Sequence, residues 1–378
     1  MKDTNIYKKA IFLGGGVVAQ RLYGQLENEG IELVGVADTL TDDARKIKWF
    51  KEFEIHSLGD YENMIRQGAY VIVAVNACSS LDVIHTYLEK YHFPEEVLLV
   101  PNPYTTLRPF VMNDEFAAEE RIPVSDPRYK EVGEMFQDQL SKKIYQMIIN
   151  SGQYDHEWDS YELAAYSQIK DMYWYSEDYW QTYPFKKDQA GEKATVIDCG
   201  AYIGDSIEQI CGSIPQNDIY YYAFEPFEEN ALAIKKNERY RQIVKELTVY
   251  QYGVGGKDAE CTFQLPDSGD LEGGRFIEDG HGQNEQCLQI RRLDSLGLDI
   301  KGQLYIKMDI EGSELEALKG AEQLIKKQKP YLAVCLYHRK NDLLDIPAYL
   351  AELMPDYKFY LRGGYHTILW AVPNHTNE

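Results

Sequence analysis

The chain has 378 residues, 44% of them hydrophobic, enough to bury more than one core. Its 61 acids against 39 bases give a net charge of −22, a surface that repels phosphate backbones and anionic lipid and so argues against a nucleic-acid substrate. No apolar run reaches the roughly 20 residues that cross a bilayer. The N-terminus lacks a signal-peptide pattern, and the 6 scattered cysteines, none in a Cys-x-x-Cys spacing, read as reduced thiols of a cytoplasmic protein.

Residues 1–104 read as a first Rossmann-like unit, because short apolar strands alternate with helices. Ala10–Leu13 is a strand, Gly14-Gly15-Gly16 a turn and Val17–Glu29 a helix. Ile31–Ala37 is a second strand ending at Asp38; Tyr70–Val75 and Val97–Val100 follow, with a helix over Leu81–Tyr91 between them. Gly14-x-Gly16-x-x-Ala19 sits after a strand, with Asp38 closing the next, which is the dinucleotide pattern in its proper setting. A bound nucleotide is one reading of this unit. A partner-docking or homo-oligomer-forming domain is the other, since no hydride-transfer residues follow. Pro101-Asn102-Pro103-Tyr104 reads as a strand-end turn.

Residues 105–192 read as a helical, aromatic-rich connector. Glu131–Ile149 is its main helix, and the tyrosines and tryptophans between Met172 and Phe185 make it too apolar to stay disordered.

Residues 193–378 read as a second α/β unit. Thr195–Asp198 is an apolar strand ending in an acid, and Tyr220–Glu225 a second one, stopped by Pro226. A helix over Glu228–Asn237, a strand over Leu247–Tyr252 and a glycine turn at Gly253–Gly256 come next. Glu260–Leu265 and Gln286–Arg291 are extended, with a glycine-rich loop between them. Leu304–Asp309 is a strand with another terminal acid, Glu314–Lys326 its helix, and Tyr331–Leu336 a strand closed by Tyr337-His338. A helix over Ile346–Leu353 and two strands, Lys358–Leu361 and Thr367–Val372, joined across a Gly363-Gly364 hairpin signal, complete it.

Asp198 and Glu225 thus end adjacent strands, at the edge where open α/β sheets bind ligands. Gly200 and Gly204 let the backbone approach a ligand closely, and Glu225 follows at about the spacing of an acid that meets a ribose diol. The unit suits a dinucleotide or S-adenosylmethionine. The turn reads Asp-x-Gly-Ala-x-x-Gly-Asp from Asp198 to Asp205. An acid before the first glycine repels a pyrophosphate but attracts an ammonium and a sulfonium, which favours S-adenosylmethionine.

Methyl transfer is an in-line displacement accelerated largely by alignment, but an alcohol acceptor must lose a proton. Asp309 and His338 end central strands on the cofactor side and are the candidates; a helix cap and a satisfied surface histidine are the plainer alternatives. Asp309, Glu311 and His338 could also hold a divalent metal, although nothing fixes a complete ligand set and no metal ligand is assigned. Glu314 and Glu316 read as solvated helix charges. Arg291, Arg292 and Arg362 suit either an anionic substrate or surface salt bridges.

At Asp198–Asp205, Glu225-Pro226, Lys307-Met308-Asp309-Ile310-Glu311-Gly312-Ser313-Glu314 and Ala317-Leu318-Lys319-Gly320-Ala321, the chain resembles the FkbM family of S-adenosylmethionine-dependent methyltransferases. The resemblance implies a class I methyltransferase-type sheet ending in an antiparallel hairpin, and an O-methyltransferase acting on a sugar or polyketide hydroxyl. It places Asp198, Gly200, Ala201 and Gly204 at the methionine end of the cofactor, with Asp205 and Pro226 beside them. Glu225 falls on the ribose, and Asp309 and Glu311 at the catalytic edge. The family commonly has Asn where this chain has Tyr202. Related chains also lay an aromatic residue, here Tyr179 or Tyr183, over the cofactor.

The expectation is therefore two Rossmann-like units joined by a helical connector, and a methyltransferase working on a small-molecule or glycan acceptor of polysaccharide biosynthesis. The alternatives are a nucleotide-sugar oxidoreductase or epimerase using the first unit, and a non-catalytic scaffold that binds S-adenosylmethionine.

Overall fold

The computed structural model describes residues 8–26, 29–37, 53, 55–74, 88–101, 120, 122–150, 163–167, 191–264, 275–277, 285–363 and 367–374. The chain folds as two compact units.

The first is built on β1 (Lys8–Leu13), α1 (Val17–Leu26), β2 (Ile31–Ala37), β3 (Ile55–His56), α2 (Glu62–Arg66), β4 (Tyr70–Val73), β5 (Leu98–Pro101) and β6 (Leu163–Ala165). Its sheet has the order β3-β2-β1-β4-β5-β6. β1 to β5 run parallel, and β6 closes the edge antiparallel to β5. The inner half of β1 is wholly buried, as a strand covered on both faces must be. At Gly14 (φ 103°) the chain turns, and its N–H donates to the Ala37 carbonyl. Asp38 and residues 81–87 of the expected fourth-strand helix lie outside the described residues.

The second unit begins with two helices, α3 (Arg128–Met135) and α4 (Gln139–Asn150). The sequence suggests one helix over Glu131–Ile149; the structure breaks it at Phe136. That residue is extended, forms a lone parallel bridge with Phe359, and lays its ring against Tyr145 at 5.3 Å. Asp138 then starts α4 by accepting the Ser141 N–H at 2.8 Å. Burial of one aromatic side chain outweighs the continuity of the helix. The described part of the connector stretch is divided: α3 and most of α4 pack within the second unit, and β6 belongs to the first.

The main sheet of this unit uses β7 (Lys193–Cys199), β8 (Asp218–Phe224), β9 (Glu246–Tyr250), β14 (Gln303–Met308), β15 (Tyr331–Cys335), β16 (Tyr357–Arg362) and β17 (Ile368–Pro373), in the order β16-β17-β15-β14-β7-β8-β9. β17 is antiparallel to both neighbours, and the other pairings are parallel. Helices α5 (Ile207–Ser213), α6 (Glu228–Lys236), α7 (Glu238–Ile243), α8 (Glu314–Gly320), α9 (Glu322–Gln328) and α10 (Asp342–Leu353) connect these strands. A smaller sheet of β10 (Gly253–Val254), β11 (Ala259–Gln264), β12 (Arg275–Ile277) and β13 (Glu285–Arg291) is inserted between β9 and β14. α10 starts four residues before the expected Ile346. Leu343 and Leu344 are buried, so the helix holds despite the hydrogen bond lost at Pro347 in its interior.

Arg362, at the end of β16, fastens the helix pair to the sheet. It is buried, reaches Asp138 Oδ2 at 2.6 Å and donates to Ser141 Oγ at 2.9 Å. Of the two readings its charge left open, an anionic substrate or a salt bridge, the structure shows the salt bridge, with Arg362 buried rather than on the surface. Arg362→Met should cost about 1.5–3 kcal/mol, the range for hydrogen bonds to charged groups, and should lower hydrogen-exchange protection in α3 and α4 before it does so in β7 and β14.

Candidate active site

The strand order reverses between β7 and β14, so the crevice past their carboxyl ends is the switch point of the sheet, where open α/β sheets take ligands. The turn after β7 occupies it. Gly200 has φ 80°, and a Cβ there would stand 1.9 Å from the Asp309 carbonyl oxygen, so only glycine lets these two strand ends meet. The N–H groups of Gly200 and Ala201 both donate to the Phe224 carbonyl, at 3.1 and 3.0 Å. Gly204 has φ 86° and its N–H donates to Ala201. Tyr202, with φ 47°, and Ile203 are left exposed on the crest of the turn.

Asp198 lies beneath this turn, 0% exposed. Lys307, directly opposite in register on β14, reaches its Oδ1 at 2.9 Å and donates to the Gly200 carbonyl at 2.9 Å. Oδ2 accepts from Tyr221 at 2.7 Å and from Ser206 at 3.1 Å. The carboxylate is held by protein groups on both oxygens. Asp205 is on the surface of the same turn and accepts the Ser206 N–H.

Glu225, just past β8, is buried. Its Oε2 accepts the Tyr202 N–H at 3.0 Å, and Oε1 accepts the Phe227 N–H at 2.9 Å and Asn230 at 3.4 Å. Burial pushes its carboxyl up to about 7, against the pull of those hydrogen bonds. Pro226, half-buried, ends the strand at this point.

A second cluster lies past β14 and β15. Asp309 Oδ1 accepts from Tyr337 at 2.8 Å. His338 is entirely buried, with Nε2 3.4 Å from Asp309 Oδ1 and 3.6 Å from Glu311 Oε2. Its Nδ1 stands 2.8 Å from Oε1 of Glu314, an ion-pair distance. Glu314 is itself fully buried and accepts the Ile310 N–H at 2.8 Å. Burial alone would lower the imidazole pKa; Glu314, Asp309 and Glu311 outweigh it and hold it at about 10, so His338 carries a proton here. Buried Asp342 is pushed up to about 8 by its burial and by Glu314.

The structure thus brings the expected residues into two adjoining groups. Asp198, Gly200, Ala201, Gly204, Asp205, Glu225 and Pro226 surround the β7 turn, and Asp309, Glu311 and His338 gather beside it. Sequence reasoning missed Lys307, whose charge inside an otherwise apolar strand was the available sign that it needed a partner. It also took Glu314 for a solvated helix charge, whereas the structure buries it against His338. Arg291 packs over Tyr252, and Arg292 lies 3.8 Å from Asp258. Tyr179 and Tyr183 lie outside the described residues.

The seven-stranded sheet places acids at the ends of β7 and β8 on either side of a glycine turn, at the edge where open α/β sheets take ligands. Residues 198–359 match the family model of the methyltransferase FkbM domain. Among solved structures, a methyltransferase FkbM from Methylobacillus flagellatus KT is similar at 18% identity with a TM-score of 0.52, over 97% of this chain and 90% of that one. A SAM-dependent methyltransferase from Aquifex aeolicus is more distant, at 13% identity with a TM-score of 0.27, over 48% of this chain and 84% of that one. At 18% identity the likeness to the Methylobacillus flagellatus structure speaks to the fold alone. No curated protein matches the chain. Among the described residues, no helix is long and apolar enough to cross a membrane.

Lys307→Met leaves Asp198 buried and unpaired and should cost about 3–5 kcal/mol of stability in denaturant titrations. Combining it with Asp198→Asn should recover most of that loss, because the penalty comes from the uncompensated charge.

Proposed function

We propose that the protein transfers the methyl group of S-adenosylmethionine to a hydroxyl of a sugar or other glycan precursor. The observation that carries the reading is the junction of the two groups: the Asp309 carbonyl occupies the place where Gly200 lacks a Cβ, so a methyl donor on the β7 turn would lie beside the Asp309 carboxylate.

The residues suit that donor. Glu225 offers a buried carboxylate to the ribose hydroxyls, and the exposed Tyr202-Ile203 crest offers apolar surface beside it. Gly200, Ala201 and Gly204 keep the turn bare of bulky side chains, with Asp205 at its outer end. Asp198 contributes from below, by fixing Lys307 and through it the Gly200 carbonyl. When bound, S-adenosylmethionine supplies an electrophilic methyl carbon whose sulfur leaves as a neutral thioether.

The acceptor falls at Asp309, Glu311 and His338. The acceptor oxygen forms the new C–O bond and the sulfur keeps the electron pair of the broken one. Asp309, held by Tyr337, takes the hydroxyl proton. Glu311 is 71% exposed in its side chain and faces outward toward the polar face of a hydroxylated acceptor. The net charge of −22 supports a neutral or cationic acceptor over a polyanion.

Calorimetric titration with S-adenosylhomocysteine, with NAD(H) in parallel, tests the donor. Micromolar binding that falls at least tenfold in Glu225→Ala is expected; binding of NAD(H) alone would sink the reading. Because Glu225 titrates near 7 and its ionised form accepts hydroxyls better, affinity should rise between pH 6 and pH 8 in the wild type and stay flat in Glu225→Gln. Against a panel of hydroxylated acceptors, Asp309→Asn should keep S-adenosylhomocysteine binding while methyl transfer drops by a factor on the order of 100, the size of a general-base contribution.

A further inference from the structure

We propose that the acidic pocket past β14 and β15 is a divalent-cation site, with His338 Nε2 and the carboxylates of Asp309 and Glu311 as ligands and Glu314 bracing the imidazole from its Nδ1 side. The inference rests on the reading of this pocket as the acceptor edge of a methyltransferase.

His338 is completely buried, yet its Nε2 makes no hydrogen bond among the described residues. It points between two carboxylate oxygens, at 3.4 and 3.6 Å, too far for good hydrogen bonds. Those separations suit neighbouring ligands on one ion: bonds of roughly 2.0–2.2 Å at right angles put ligand atoms about 3 Å apart. Asp309, Glu314 and His338 each present a ligand atom within 4.8 Å of the others. Glu314 Oε2 is also buried without a hydrogen-bond partner, so the pocket holds more acceptor capacity than the protein satisfies.

The arrangement of Glu314 behind His338 is that of a carboxylate holding a ligating histidine by its far nitrogen. Two carboxylates and one imidazole, open toward Glu311, suit a hard to borderline ion such as Mg²⁺ or Mn²⁺. The ion would ligate acceptor oxygens beside the methyl donor and lower the pKa of a bound hydroxyl. A vicinal diol, as sugars carry, is the acceptor chemistry that two free coordination positions select.

Mn²⁺ is the probe. Full-length protein freed of metal with EDTA is titrated with Mn²⁺, and the free ion is followed by electron paramagnetic resonance. One equivalent bound is expected, with affinity at least tenfold weaker in Glu311→Gln, an exposed position where folding is safe, and about 10–100-fold weaker in Glu314→Gln. Absence of stoichiometric binding, or affinity unchanged in Glu311→Gln and Asp309→Asn alike, overturns the site and leaves a metal-free cluster of imidazolium and carboxylates. S-adenosylhomocysteine binding to the same metal-free samples separates the two ideas: if it persists while Mn²⁺ fails to bind, the cation site alone falls.

Discussion

The buried pair of Lys307 and Asp198 joins β7 to β14 at the point where the sheet changes direction. Neither side chain reaches water, and the ammonium of Lys307 also holds the Gly200 carbonyl. Replacing such a pair with apolar groups need not cost stability. Its value is in where it puts the backbone: the glycine turn is fastened from below by a side chain of the neighbouring strand. The acids past the neighbouring strand ends, Glu225 and Asp309, then stand at fixed places on either side.

The second group obeys a different constraint. Glu314 opens α8 with its side chain turned inward, because its oxygen accepts the Ile310 N–H and closes the bend that follows β14. That bend includes Glu311 at φ 56° and Gly312 at φ 97°, backbone that a plain strand-to-helix connection would avoid. Once Glu314 is inward, a positive group must face it, and His338 at the end of β15 does so. Local hydrogen bonding of the chain and charge compensation between strands thus assemble the pocket together.

The main strands were legible because parallel strands buried on both faces read as unbroken apolar runs: β14 and β15 are such runs, and their terminal acid and histidine fell where expected. The turn from Asp198 to Asp205 was legible because its glycines take conformations other residues avoid. What stayed hidden was pairwise. That Asp198 meets Lys307 depends on register between strands more than 100 residues apart in the chain. That Phe136 breaks a helix depends on its bridge to Phe359. The inward aim of Glu314 could not be read from an amphipathic pattern that placed it beside exposed Glu316.

The close approach of Gly200 to the Asp309 carbonyl carries a consequence for how such an enzyme diversifies. On the proposed reading, the spacing between the β7 turn and Asp309 is set by main chain against main chain, since the Asp309 carbonyl stands where a Cβ of residue 200 would be. Substitution can therefore tune what is held on either side but cannot retune the reach from one to the other. New acceptor preferences would then have to arise in other segments, while the proposed span from donor to acceptor stays constant.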